Sequence, residues 1–170
     1  MLTLILALRL LHIVAGAFWF GAVLTTVFFI EPAAEAFGSD GERFLAHIAS
    51  RRRLVTFLVV AALITALAGG GLYWIDSAGL NADWITTRTG LVFTCGAIAG
   101  IVAFLIPIAA FRPTLARLDA LAKDQKLTGD TASERVTGRA VDARFRRWGT
   151  VQAGLLLFAV ATMAVARYVP

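Results

Sequence analysis

The chain has 170 residues, of which 59% are hydrophobic and 16% are charged. A mean hydropathy of +0.78 is too high for a soluble domain of this length, so the composition indicates one compact membrane domain over residues 1–170. The net charge of +5 comes from basic residues clustered beside apolar segments, which a membrane surface explains better than a nucleic acid, so we expect no nucleic-acid partner.

Four apolar stretches are long enough to cross a bilayer, which takes about 20 residues. They cover residues of about 3–30, 53–74, 88–111 and 148–169. The first has no basic segment before it and no small-residue cleavage site after it, so we expect a retained helix rather than a cleaved signal peptide. The sequence therefore predicts an all-α, integral membrane four-helix bundle.

The connections between these stretches differ in length and charge. After Glu31-Pro32 we expect a short helix from about Asp40, which carries His47 at the surface and leads into the second stretch. A short polar loop follows the second stretch. The third connection, about residues 112–147, holds nine Lys/Arg against five Asp/Glu and predicts a basic helical hairpin at the membrane surface.

The positive charges also predict the orientation of the chain. The first connection contributes four Lys/Arg and the third contributes nine, whereas the second has only Arg88 at its edge. Because such residues concentrate in cytoplasmic loops, we expect both termini on the periplasmic or external side of a bacterial inner membrane. The expected partners are membrane lipid and either further copies of the chain or a larger membrane complex.

His12 is the one histidine that this topology places inside the membrane. It shares a helix face with Ala15, Gly16 and Trp19, at i, i+3, i+4 and i+7 spacing. An ionisable side chain in a membrane is a functional candidate by default. The alternative is a histidine that only donates a hydrogen bond to a neighbouring backbone carbonyl.

Residues from several predicted helices lie at a depth similar to that of His12. At about 1.5 Å per helical residue, counted from the predicted outer ends, all of them fall in the outer half of the bilayer. They are His12, Gly70, Cys95 and Met163.

One interpretation of these residues at a common depth is a binding site for a b-type haem or another porphyrin, held through His12. Imidazole is a common axial ligand, Met163 is the other plausible axial ligand, and Trp19 lies on the face of His12. The small residues that leave room for a macrocycle are Ala15, Gly16, Gly69 to Gly71 and Gly96. Three rim arginines either pair with propionates or reach lipid headgroups: Arg9, Arg88 and Arg167.

A second interpretation is a non-enzymatic copper site. His12, Cys95 and Met163 supply an imidazole, a thiolate and a thioether, and soft ligands of this kind favour copper(I). The alternative for Cys95 and Met163 is plain packing, since both residue types behave as adaptable apolar side chains. A third interpretation is an accessory or scaffold subunit whose basic connection binds anionic lipid or a partner.

The first half of the chain carries a series of loosely spaced motifs. They are His12 before Trp19-Phe20, Ala34-Glu35-Ala36, Phe44…Arg52-Arg53-Leu54 before Thr65…Gly69, and Trp84…Arg88. In these motifs the chain resembles the small inner-membrane proteins of the copper-resistance D and HemJ-type protoporphyrinogen oxidase group. The resemblance implies that His12 ligates haem and that the chain takes part in porphyrin oxidation or electron transfer.

Two positions depart from the pattern of that group. Arg88 stands where the HemJ type has an essential lysine, and it keeps the charge but does not easily lose its proton. A proton-transfer role therefore does not carry over to Arg88. Glu31-Pro32 occupies the region in which the group has a second histidine.

Overall fold

The computed structural model describes the backbone of residues 1–50, 53–128 and 131–169, and the side chains of residues 1–41, 43–45, 47–48, 53–109 and 146–169. The described backbone is almost entirely helical and contains no strand. In chain order the helices are α1 (Leu2–Thr25), α2 (Glu31–Ala36), α3 (Ser39–Ser50), α4 (Leu54–Asp76), α5 (Ala82–Ile85), α6 (Arg88–Thr128) and α7 (Thr131–Val165). A π-helical turn (Thr26–Ile30) joins α1 to α2, and a 3₁₀ turn (Ala166–Tyr168) follows α7.

Four helical segments are long and apolar enough to cross a membrane. They are Leu2–Ala36, Leu54–Asp76, Arg88–Ala109 and Arg146–Tyr168. Many of the large apolar side chains on these segments are exposed, for example Phe18, Leu67 and Leu157. The prediction of four long apolar helices is confirmed for the described part of the chain.

The first apolar helix continues beyond its predicted end at Glu31-Pro32. The amide of Glu31 donates to the carbonyl of Thr26, five residues earlier, which marks the wider π turn. Pro32 then lies in the first turn of α2, where a helix needs no amide donor from it. The helical run therefore passes the proline and ends only at Ala36.

The short helix expected after the first stretch is present as α3, but it does not run into α4. Arg53 has a φ of 54°, in the left-handed region, and forms the N-cap of α4. At the other end of α3, a Cβ on Gly41 would collide with the Ala34 carbonyl, so α3 folds back closely on α2. His47 is exposed, as predicted.

The predicted basic hairpin consists of extensions of the third and fourth apolar segments rather than a separate helical unit. α6 runs without interruption to Thr128, and α7 starts at Thr131 and continues into the fourth segment. The predictions for its charged side chains concern mostly residues 112–145, whose side chains lie outside the described residues.

The long helices pack as two antiparallel pairs. α1 lies mainly against α4, and α6 lies mainly against α7, while smaller contacts join α4 to α6 and α7 to α1. The main buried cluster consists of Trp19, Val23, Val27, Ala61, Ala62, Ala103, Ala153 and Leu156. Beyond this cluster, toward the end that holds Arg9, the buried apolar residues of the described part are all alanines, namely Ala68, Ala99, Ala159 and Ala166. His12 lies in this alanine-rich half.

Candidate functional site around His12

The imidazole of His12 faces α4 and forms a hydrogen bond with its backbone. Nδ1 lies 2.8 Å from the carbonyl oxygen of Thr65. A carbonyl oxygen only accepts, so Nδ1 carries the proton and donates it. In the neutral ring, Nε2 then holds the free lone pair. The carbonyl contact that the sequence left as an alternative for His12 is therefore present.

The second ring nitrogen of His12, Nε2, is not fully buried. Among the described atoms, Nε2 has no hydrogen-bond partner, and no buried side-chain nitrogen or oxygen lacks one. Nε2 therefore keeps some exposed surface. A histidine that ligates a metal commonly donates its other ring N–H to a carbonyl in this way. The donor geometry of His12 thus fits an axial ligand.

Gly69 provides the space in which the imidazole lies. A Cβ on Gly69 would lie 2.7 Å from Cε1 and 2.8 Å from Nδ1 of His12. A Cβ on the next glycine, Gly70, would meet nothing within 4 Å. A Cβ on Gly71 would lie 3.4 Å from Cδ1 of Leu8, which is an ordinary contact distance. Of the three consecutive glycines, Gly69 is therefore the one that His12 requires.

The side chain of Thr65 packs against α1 at the same level as His12. Its Oγ1 donates to the Ala61 carbonyl at 2.8 Å, which fixes the side-chain rotamer. Its Cγ2 would lie 3.3 Å from a Cβ on Gly16, so α1 and α4 approach closely at this level. Gly16 thus serves the packing of the helix pair.

Trp19 lies below His12 and belongs to the buried cluster. It is 5% exposed, and its ring meets Phe104 of α6 edge to face, with centroids 6.5 Å apart. Seven residues separate Trp19 from His12, which is about 10 Å along a helix. Trp19 therefore forms the floor of the alanine-rich half.

The contact between Trp19 and Phe104 shows which part of α6 lies at the height of His12. α1 pairs antiparallel with α4, and α6 pairs antiparallel with α7, so α1 and α6 run in the same direction in the alternating order of the four long helices. Seven residues before Phe104 is Ala97, so His12 and Ala97 lie at about the same height. Gly96, next to Ala97, packs against Met163 of α7, whose Cγ would lie 3.3 Å from a Cβ on Gly96.

The two sulfur-bearing candidates differ in their surroundings. Met163 is half-buried against Gly96, whereas the thiol-bearing residue Cys95 is exposed. No hydrogen bond in the described part joins either one to His12. The described residues also hold no cluster of three or more His, Cys, Asp or Glu side chains suited to a metal.

The three rim arginines lie at the end of the molecule nearest His12. Arg9, Arg88 and Arg167 have exposed side chains, and within the described part none of them pairs with a carboxylate. Thr89 Oγ1 donates to the Val169 carbonyl at 3.0 Å, which brings the neighbourhoods of Arg88 and Arg167 together. The exposed guanidinium groups at this end could pair with the carboxylates of a ligand.

An aromatic cluster that the sequence did not indicate as a unit lies near this rim. Tyr73 meets Trp84 edge to face at 5.6 Å, and Trp84 stacks on Phe93 at 6.3 Å. Thr94 Oγ1 donates to the Gly90 carbonyl, so the Tyr73 hydroxyl, 2.6 Å away, donates to Thr94. This cluster joins α4, α5 and α6.

The opposite end carries an ion pair between Arg146 of α7 and Glu35 of α2. Arg146 Nη1 lies 3.0 Å and 2.8 Å from the two carboxylate oxygens of Glu35. Both side chains are more than half exposed, so the pair contributes little to stability.

Comparison of the chain with protein families, with characterised proteins and with solved structures finds no match.

Proposed function

We propose that the chain is a four-helix protein of the bacterial inner membrane, with both ends of the chain on the periplasmic side. Four long apolar segments with exposed Leu, Ile, Val and Phe side chains support insertion in lipid. The excess of basic residues in the first and third connections supports the orientation. His12 and the rim arginines then lie in the outer half of the bilayer.

We further propose that the protein binds haem b or a related porphyrin through Nε2 of His12. The observation that carries this proposal is the 2.8 Å hydrogen bond from Nδ1 to the Thr65 carbonyl, which in the neutral ring leaves the lone pair on Nε2. Arg9, Arg88 and Arg167 are assigned to the propionates, because exposed guanidinium groups match carboxylates. Met163, at the level of His12, is the candidate for the second axial position.

In this proposal each residue type has a separate task. His12 donates the lone pair, the Thr65 carbonyl holds the ring, and the alanine-rich half above Trp19 presents only small buried apolar side chains at this level. A bound haem supplies one-electron redox chemistry, which suits either porphyrin oxidation or electron transfer. Lipid surrounds the helices, and a second copy or a larger complex is the proposed partner class.

The test is the visible spectrum of the protein purified from haem-replete cells. We expect a Soret band that disappears in His12→Ala and returns when imidazole is added to fill the vacated position. His47→Ala is the matched control, because His47 is exposed on α3 and its loss should leave the band unchanged.

The same preparation separates the competing functions. A colourless, metal-free protein overturns the haem proposal. Stoichiometric copper that is lost in Cys95→Ser replaces it with the copper site of His12, Cys95 and Met163. Co-purification with a larger complex that persists in His12→Ala, without a chromophore, replaces it with the scaffold role.

A further inference from the structure

The contact between His12 and α4 depends on a single missing side chain. The ring lies so close to Gly69 that any Cβ there would enter it, at 2.7 Å from Cε1. Gly70, one residue further, has open space for a Cβ. α4 therefore offers one position at which the imidazole can reach the helix backbone.

The acceptor of the His12 hydrogen bond, the Thr65 carbonyl, already accepts a hydrogen bond within α4. In an α-helix, the Thr65 carbonyl accepts the amide hydrogen of Gly69, four residues later. A carbonyl oxygen has two lone pairs, so the second one is available to His12. The acceptor and the space for the ring of His12 thus come from one turn of α4, and the donor comes from α1.

We propose that Gly69 is a positioning residue that selects Nε2 as the ligating nitrogen of His12. With Gly69 in place, the ring lies against α4, Nδ1–H donates to Thr65 and the lone pair is confined to Nε2. This inference rests on the proposed haem site for its purpose. The ring tautomer itself is a property of the protein without any cofactor.

A side chain at position 69 would remove this selection. It would push the ring away from α4 and break the Nδ1 hydrogen bond, so that the proton exchanges between the two nitrogens. The carbonyl partner also raises the basicity of a ligating imidazole. We therefore expect Gly69→Ala to weaken haem binding about 10-fold, the lower end of the effect seen for groups that orient metal ligands.

The experiment compares wild type, Gly69→Ala and Gly70→Ala in detergent micelles, each in a His47→Asn background so that only His12 is observed. Nitrogen NMR of ¹⁵N-labelled histidine reads the tautomer, and haem titration of the same samples reads affinity. We expect the Nδ1–H tautomer in wild type and Gly70→Ala, exchange between tautomers in Gly69→Ala, and reduced haem affinity only in Gly69→Ala.

The outcomes for the two proposals are distinguishable. An Nε2–H tautomer in wild type overturns the positioning role whether or not haem binds. Equal tautomers and equal affinities in Gly69→Ala and Gly70→Ala also overturn it. If wild type has the Nδ1–H tautomer and Gly69→Ala loses it, but no sample binds haem, the positioning role stands and the haem proposal fails. Should Gly69→Ala not fold, an Nε2–H tautomer in wild type would still overturn the positioning role, and an Nδ1–H tautomer would support its first step, the hydrogen bond to Thr65.

Discussion

Gln152 of α7 supplies a hydrogen bond that Pro107 removes from α6. Proline has no amide hydrogen, so the Ala103 carbonyl, four residues before Pro107, loses its helical partner. The Gln152 amide is 5% exposed, and its Nε2 donates to that carbonyl at 3.0 Å. In apolar surroundings a neighbouring helix can satisfy a backbone group freed by proline in this way.

We predict that Gln152→Leu lowers the free energy of unfolding by about 1 kcal/mol, because it leaves the Ala103 carbonyl unpaired. Pro107→Ala restores an amide donor, so the same substitution should cost much less in that background. The measurement is a double-mutant cycle of unfolding in mixed micelles. An equal cost of Gln152→Leu in both backgrounds would contradict the replacement of a missing amide.

The sequence indicates which single polar or helix-breaking residues are important but not which groups they form hydrogen bonds with. His12, Pro107 and Gln152 each attract attention as a polar or helix-breaking residue in an apolar stretch. The acceptor of His12 is a backbone carbonyl, which every residue has, so no residue type marks it. The available signal was spacing, since Thr65 and Gly69 lie four apart and share one face of a helix.

The pairing of α6 with α7 uses one glycine of the Gly96-x-x-x-Gly100 pattern. A Cβ on Gly96 would lie 2.5 Å from Thr162 Oγ1 and 3.3 Å from Met163 Cγ, whereas one on Gly100 would meet nothing within 4 Å. Thr162 cannot move freely, because its hydroxyl donates to the carbonyls of Phe158 and Ala159. Small residues four apart are a common packing pattern, and only the partner helix decides which of them is in contact.

Gly96→Ala is therefore expected to destabilise the α6–α7 pair by about 1–3 kcal/mol through overpacking. Gly100→Ala is the matched control on the same helix. It should be neutral or slightly stabilising, because alanine favours helix and the added methyl has open space. Thermal unfolding of both variants in one detergent provides the measurement. A lower melting temperature for Gly100→Ala than for Gly96→Ala would show that the packing of α7 does not depend on Gly96.

For the whole molecule, the helices were predictable and their pairing was not. Runs of about 20 apolar residues are long enough to cross a membrane, and they predict the four long apolar helices directly. The four long apolar segments are hydrophobic on all sides, so periodicity marks no face for a partner. The π turn before Pro32 and the unbroken course of α6 into the basic region also depend on local backbone choices that composition does not encode. The alanine-rich half around His12 follows from the pairing, so it became visible only in the structure.

The orientation of the four segments can be tested with two fusions of the same reporters. Basic residues stay on the cytoplasmic side, so the end of α6 at Thr128 should be cytoplasmic and the end of the chain after Val169 should be periplasmic. Alkaline phosphatase, which is active only after export, should be active after Val169 and inactive after Thr128, and green fluorescent protein should give the opposite pattern. The reverse result would place His12 in the inner half of the bilayer, and the rim arginines would then face the cytoplasm. A haem bound at His12 would in that case exchange electrons with cytoplasmic partners, whereas the predicted orientation directs it to the periplasmic surface.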